Sequence, residues 1–179
     1  MWYINTNRSY GLDGMIAPFN TDDYDMESYQ GFVYVIIEKS TNKKYIGKKF
    51  FWKPKILPKT KTRKRRQRVL VESDWRDYFG SSKEVQSLVE QNGESNYTRI
   101  ILKLCKTKGE CSYYEAKLQF EYDVLLRDDF YNEFIGCKIH SKHLSKWQKN
   151  KSKKQIDTTG LSKASWYLCR GQRIKSGLY

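Results

Sequence analysis

Apolar and polar residues are arranged in blocks that predict a small mixed domain in the first three quarters of the chain. Residues 32–37 are a run of β-branched and aromatic side chains, which favours a strand. A Ser-Thr-Asn segment with turn chemistry follows, and Tyr45-Ile46 resumes the apolar pattern, so we predict a β-hairpin. Residues 97–105 have the same character and predict a third strand.

Two helices are predicted on either side of this third strand. Apolar residues recur at helical spacing over 82–92, where Ser81 and Glu84 form a capping box and Gly93 marks the end. Residues 110–127 contain no Gly or Pro and predict a second, longer helix. The order strand, strand, helix, strand, helix predicts an α+β fold with a three-stranded antiparallel sheet flanked by helices.

Three segments fall outside this pattern and set the predicted domain limits. Residues 1–30 are predicted to be an acidic arm that lies on the domain. Residues 53–68 contain two prolines and a dense cationic run, so we expect an exposed basic insertion loop that cannot form a packed strand. Residues 138–179 are predicted to be a basic tail that tracks DNA, which leaves the domain itself over 31–137.

The charge is strongly positive and unevenly distributed, with a net value of +14. Residues 1–30 carry one Arg against five acidic residues, whereas residues 43–68 carry thirteen Lys and Arg and no acid. Residues 137–179 carry eleven basic residues against a single Asp. One charge run alone is often only a solvated tail, but two cationic blocks indicate a polyanionic partner, most simply nucleic acid.

The composition also argues against membranes and structural metals. No stretch approaches eighteen apolar residues and the N-terminus lacks a signal-peptide pattern, so we expect a cytoplasmic protein with four reduced cysteines. Cys137, His140 and His143 have spacing that suits zinc, but no Cys-x-x-Cys pair accompanies them. We therefore assign both histidines to the cationic surface.

The hairpin resembles the signature of the GIY-YIG endonuclease family. Tyr45-Ile46-Gly47 matches the second half letter for letter, whereas the first half is degenerate, as Phe32-Val33-Tyr34 or Val33-Tyr34-Val35. The eleven-residue separation of the two tyrosines is typical of the family. A helix carrying Glu115 and then Asn132 follow in the family order, so the resemblance covers roughly residues 31–137.

The resemblance implies a metal-dependent DNA endonuclease that hydrolyses phosphodiester bonds. Glu115 would hold one divalent cation, Mg²⁺ or Mn²⁺, and Tyr34 or Tyr45 would take a proton from the attacking water. Asn132 would orient groups by hydrogen bonding. The family usually has an arginine about ten residues after the second tyrosine, where this chain has Lys55 instead.

Several assignments stay open at this point. Glu110 and Glu121 lie on the same predicted helix as Glu115 and are its rivals. The candidates for the missing arginine are Lys44, Lys48, Lys49, Arg68 and Arg76. The residues expected to contact DNA are Lys48, Lys49, Arg63, Arg65, Arg66, Arg68, Lys138, Lys142 and Lys146.

The size and the basic segments are most similar to phage-borne or mobile-element members of the family, including homing endonucleases. This implies DNA as the partner, no small-molecule cofactor, and the cytoplasm of a bacterial or phage-infected host cell. A repair or restriction nuclease, a non-catalytic nucleic-acid-binding protein on the same scaffold and an RNA-binding structural protein are the alternatives. The oligomeric state is left open.

Overall fold

The computed structural model describes residues 1–6, 12, 14–59 and 63–136. Within these ranges the strands are β1 (Trp2–Asn5), β2 (Ile16–Pro18), β3 (Gly31–Glu38), β4 (Lys44–Phe50), β5 (Trp52–Leu57), β6 (Gln67–Glu72) and β7 (Tyr97–Cys105). The α-helices are α1 (Lys83–Asn92) and α2 (Lys108–Glu121), and short 3-10 turns span Thr21–Asp23, Met26–Ser28, Trp75–Asp77 and Glu94–Asn96. The predicted basic tail, including Lys138, Lys142 and Lys146, and the Cys-His cluster from Cys137 onward lie outside the described residues.

The main sheet has five strands in the order β2-β1-β7-β3-β4. The predicted hairpin and third strand form its antiparallel centre, while β1 runs parallel to β7. The α+β class is therefore confirmed, but the three-stranded sheet is wrong, because residues 1–30 contribute β1 and β2. These strands are short, and burial of Trp2 and Ile4 in the core stabilises β1.

The central strand β3 separates two apolar layers. Phe32, Tyr34 and Ile36 point to one face and pack in a cluster that includes the buried valines of α1. Val33 and Val35 point to the other face and pack in a cluster with buried residues of α2. Successive side chains of a strand alternate between faces, so this one uninterrupted apolar run serves two cores.

Both helices differ from the prediction at their ends. Ser82, not Ser81, caps α1, since its Oγ accepts the Val85 N–H at 3.4 Å. The helix α2 begins at Lys108 and ends six residues before the predicted 127. The chain leaves the helix where Asp123 takes a left-handed conformation with φ of 49°.

The basic insertion is an extended hairpin rather than a loop along its whole length. Strands β5 and β6 pair antiparallel into a separate two-stranded sheet, and Pro54 lies opposite Leu70. Both strands of such a sheet are edges, so a proline without an N–H group is tolerated there. Most of its side chains are exposed, so it lacks a core of its own. We call β5 and β6 together the ribbon.

The buried carboxylate of Glu38 links the β3–β4 hairpin to β7 and to the segment that follows α2. The carboxylate of Glu38 accepts hydrogen bonds from the hydroxyls of Thr41, Tyr131 (2.6 Å), Ser40 (3.1 Å) and Tyr97 (3.4 Å). These bonds, that from Thr41 first, hold the pKa of Glu38 below its ordinary value.

Glu38→Gln is expected to destabilise the domain by about 2 kcal/mol, because an amide cannot accept all these bonds. A lowered folded-state pKa adds stability that is present above the unfolded pKa and is lost as the pH falls through the folded one. The free energy of unfolding of the wild type, measured in urea, should therefore decrease on acidification below about pH 5. The variant should show a smaller decrease. Glu27→Gln, at an exposed position, is the control, and equal stability of the two variants would contradict the assignment.

Candidate active site

Strand β4 forms one edge of the sheet, and its outward-facing backbone groups are bonded by residues from the second half of the chain. The Ile46 N–H donates to Asn132 Oδ1 at 2.9 Å, and the Ile46 carbonyl accepts from Asn132 Nδ2 at 2.8 Å and Gln119 Nε2 at 3.0 Å. Two residues on, the Nζ of Lys48 donates a hydrogen bond to the carboxylate of Glu115. The edge strand thus fixes the positions of three side chains beside it.

An open cavity of about 530 Å³ lies beside this edge. Its lining includes Tyr45, Lys48, Ser81, Glu115, Gln119 and Asn132. Tyr45 and Lys48 point to opposite faces of β4, so the cavity reaches around the strand edge and joins side chains from both layers. It collects four of the residues predicted from the motif: Tyr45, Lys48, Glu115 and Asn132.

The two motif tyrosines are close together but have different surroundings. Their ring centroids are 6.3 Å apart. Tyr34 is 0% exposed and its ring centroid lies 6.1 Å from that of Tyr78, and burial raises the pKa of Tyr34 well above its ordinary value. Tyr45 is half-buried, and its hydroxyl lies 3.0 Å from Ser81 Oγ at the cavity. Of the two phenols, Tyr45 is therefore the one that borders the cavity.

Glu115 is a partly buried carboxylate in direct contact with a lysine. Its side chain is 13% exposed, and its Oε2 is ion-paired with the Nζ of Lys48. Burial raises the pKa of Glu115 above its ordinary value, while the hydrogen bond and the charge of Lys48 act in the opposite direction. The site therefore pairs the carboxylate of Glu115 with the ammonium group of Lys48 in the lining of the same cavity.

The two rival glutamates have other surroundings. Glu110 Oε2 accepts the Lys106 N–H at 2.8 Å, and the Glu110 N–H donates to Thr107 Oγ1 at 3.0 Å, so this pair forms the cap of α2. Glu121 is exposed at the end of the helix. Of the three, only Glu115 lines the cavity.

A comparison with protein families agrees with the resemblance seen in the motif. A family model described as "Putative endonuclease segE, GIY-YIG domain" matches residues 15–135. The chain belongs to the GIY-YIG endonuclease family. The resemblance read from the motif order is therefore confirmed, and a nuclease domain implies a nucleic-acid substrate. Searches of the curated proteins and of the solved structures found no match. Among the described residues, none of the helices is long and apolar enough to cross a membrane.

Two of the predicted catalytic residues of the GIY-YIG domain lie away from the cavity. Arg76 is ion-paired with Glu72 at 3.1 Å and is stacked on Trp75. Lys44 binds Asp129 at 3.3 Å. Neither lines the cavity that contains Glu115.

The candidates next to the GIY-YIG motif divide between the two faces of β4. Lys49 is ion-paired with Asp74 at 3.1 Å, and its Nζ lies 3.5 Å from the ring centroid of Tyr78. Lys48 points to the opposite face and lines the cavity. Of the candidates for the missing family arginine, Lys48 is thus the one that the structure brings to Glu115.

The arginines predicted to contact nucleic acid lie on or next to the ribbon. Arg65, Arg66 and Arg68 are exposed. Arg63 is partly buried, and its guanidinium donates to the Pro58 carbonyl at 2.6 Å. They form a surface that is separate from the residues lining the cavity.

The structure adds two residues that the motif reasoning missed. Ser81 was interpreted as a helix cap, but its hydroxyl contacts Tyr45. Gln119 is one helical turn after Glu115, and this i to i+4 spacing could have placed it on the same face of α2. The contact of Ser81 had no such signal, because it joins residues that are 36 positions apart.

Proposed function

We propose that this GIY-YIG domain is a metal-dependent DNA endonuclease in which Tyr45 is the general base and Glu115 holds the divalent cation. The observation that carries the proposal is the grouping of a phenol, an ammonium and a carboxylate around one open cavity. Phosphodiester hydrolysis needs a base for water, a positive charge for the phosphate and a metal ligand. Tyr45, Lys48 and Glu115 supply these three chemistries.

The surroundings of the tyrosines support Tyr45 rather than Tyr34 as the base. A general base must come within hydrogen-bond reach of the water it activates. Tyr34 is fully enclosed, and its raised pKa disfavours the phenolate that would accept a proton. We therefore assign Tyr34 a positioning role beside Tyr45, whose hydroxyl is available at the cavity.

The residues at the cavity fit a hard divalent cation such as Mg²⁺ or Mn²⁺. Among the described residues, no three His, Cys, Asp or Glu side chains cluster as a metal site. Glu84 and Glu133 also line the cavity, and we propose that the partly buried carboxylate of Glu115 is the ligand that the protein supplies. Mg²⁺ typically binds one or two carboxylates and keeps water and phosphate oxygens as its other ligands. When bound, the cation would neutralise the charge that develops on the phosphate.

Lys48 and Asn132 would then have distinct roles. Lys48 replaces the family arginine as an electrostatic partner of the phosphate, as a point charge rather than a bidentate clamp. Asn132 uses its amide oxygen and nitrogen on the backbone of Ile46. We propose that Asn132 positions the edge strand and does not touch the substrate.

Incubation of the protein with a supercoiled plasmid tests the function. We expect nicking with Mg²⁺ or Mn²⁺ and none with EDTA. Cleavage that resists EDTA would contradict the metal. Binding without cleavage under all conditions would favour the alternative of a non-catalytic nucleic-acid-binding protein. The phage or mobile-element origin and the host-cell cytoplasm stay predictions from the resemblance.

Tyr45→Phe is expected to lower the nicking rate by about 10²–10³-fold, because it removes the proton acceptor and keeps the ring. Affinity for DNA, measured in EDTA, should stay within about threefold of the wild type. Tyr113→Phe is the control, since this partly buried tyrosine does not line the cavity. Nicking at the wild-type rate by Tyr45→Phe would show that another group is the base.

A further inference from the structure

The ribbon carries a high density of exposed positive charge, most of which has no acidic partner among the described residues. Residues 39–71 contain no Asp or Glu. Lys53 is ion-paired with Asp74 at 3.9 Å. None of the ion pairs among the described residues involves the other exposed cations of the ribbon and of the segment between its strands, which are Lys55, Lys59, Lys64, Arg65, Arg66 and Arg68. The surface is therefore complementary to a polyanion.

One face of the ribbon is also apolar. Directly opposed residues of paired strands share a face, and Pro54 pairs with Leu70 while Ile56 pairs with Arg68. This face thus presents Pro54, Leu70 and Ile56 in a row. Trp52 and Glu72 lie at its base and Arg68 lies at its far end. Ile56 is 57% exposed and Leu70 is 61% exposed. A partner for this face must offer apolar groups between negative charges.

We propose that the ribbon lies in the major groove of duplex DNA with its apolar face toward the base edges. That groove is about 12 Å wide and admits a two-stranded β-ribbon, since paired strands are about 4.8 Å apart. Its floor presents the methyl groups of thymine, which suit Ile56 and Leu70. Phosphates along its rims suit the cations of the turn, and Arg68 reaches the base edges as a donor.

The same geometry disfavours duplex RNA. The major groove of A-form RNA is deep and narrow and does not admit side chains on such an element. Its uracils also lack the methyl group that the apolar face would contact. The ribbon therefore discriminates between the two polymers without contacting the 2′ position of the sugar.

The ribbon is placed so that one duplex can reach both the ribbon and the cavity. It begins at Trp52, four residues after Lys48, so the two Cα atoms are at most about 14 Å apart. Trp52 anchors the base of the ribbon, since its Nε1 donates to the Tyr29 carbonyl at 3.0 Å. The inference rests on the proposed function only in taking DNA as the polymer to be cut.

Binding measured in EDTA with two matched duplexes tests the groove assignment. One is a mixed-sequence duplex, and the other carries deoxyuridine in place of every thymidine, which removes only the major-groove methyl groups. We expect several-fold weaker binding of the wild type to the second duplex. The double variant Ile56→Ser/Leu70→Ser should lose about tenfold on the first duplex and no longer distinguish the two.

The matched control is Phe120→Ser/Leu126→Ser, which removes two exposed apolar side chains outside the ribbon. It should behave as the wild type does. Equal wild-type affinity for both duplexes, or an unchanged affinity of Ile56→Ser/Leu70→Ser, overturns the proposal. Because the ribbon side chains are already exposed, a folding defect is not expected to obscure the result, and circular dichroism checks this.

Charge variants separate the phosphate contacts from the base contacts. Arg65→Ser/Arg66→Ser should reduce the slope of log affinity against log salt by about 1.8, since each phosphate contact contributes about 0.9. It should keep the difference between the two duplexes. Duplex RNA of the same length should bind more weakly, and equal binding of RNA overturns the proposal. Since EDTA prevents metal-dependent cutting, groove binding without any nicking in Mg²⁺ would reject only the proposed function.

Discussion

Glu115→Gln is expected to lower plasmid nicking by about a thousandfold, because an amide is a poor ligand for a hard divalent cation. The amide keeps the shape of the side chain, and its oxygen can still accept a hydrogen bond from the Nζ of Lys48. Affinity for DNA in EDTA should change little or rise, since one negative charge leaves the cavity. The measurement is the initial nicking rate in saturating Mg²⁺, compared with binding of the same plasmid in EDTA.

Stability provides the second readout for this variant. Burial raises the folded-state pKa of Glu115, so the ionised carboxylate costs stability, and that cost grows as the pH rises from the unfolded pKa through the folded one. Glu115→Gln removes this cost, so its unfolding midpoint at neutral pH should equal or exceed that of the wild type. An inactive variant that is equally stable has lost chemistry rather than structure.

The matched control for this experiment is Glu121→Gln, on an exposed position of the same helix. It makes the same chemical change and should nick at the wild-type rate. If Glu115→Gln retained normal nicking while Glu121→Gln lost it, the assignment of the metal ligand would be wrong.

Gly47→Ala is expected to destabilise the domain by about 1–3 kcal/mol and to reduce nicking strongly. A Cβ atom at position 47 would lie 2.5 Å from the hydroxyl of Tyr34, 2.8 Å from its Cζ and 3.1 Å from Tyr45 Cε1. Tyr34 is enclosed by Trp2 and Tyr78 and has no space to withdraw. The added methyl group would therefore force the two tyrosine rings out of place.

Thermal or urea unfolding measures the stability effect, and Gly136→Ala is the control. The closest contact of its Cβ would be 3.1 Å from the far end of Phe134, which is 78% exposed and can move aside. The double variant Gly47→Ala/Tyr34→Phe should be less destabilised than the sum of the two single variants, because Tyr34→Phe removes the nearest atom. Full additivity would show that the clash is not the cause.

The order of local elements could be predicted because each is encoded by short-range patterns. The strand β3 is a continuous apolar run, β7 has an apolar centre at Ile100–Leu102, and α1 has apolar residues at helical spacing between a serine cap and a glycine end. The strand β1 was not predicted, because the strand-favouring run Trp2-Tyr3-Ile4 is too short to indicate a strand or its partner without the tertiary structure. It becomes a strand only when β7 provides a parallel partner and the core buries Trp2.

The ribbon illustrates how composition can mislead. Two prolines and many cations indicated an exposed segment, and most of the described residues in 53–68 are exposed, but exposure does not imply the absence of strands. A two-stranded antiparallel pair is only marginally stable by itself, so its base must be anchored to the domain. Trp52 and Ser73 supply that anchor through hydrogen bonds to Tyr29 and Phe50.

The sequence by itself determined the chemistry of the candidate site: two tyrosines at a fixed separation, a helical glutamate and an asparagine in the order of one family. These features are local or ordered along the chain, so they can be read without coordinates. Only the tertiary structure decided which cation joins Glu115, because several lysines and arginines have the same local pattern. Side chains alternate between the two faces of the edge strand β4, and this alternation places Lys48 rather than Lys49 beside Glu115. Tyr45 lies at the cavity, whereas Tyr34 is buried.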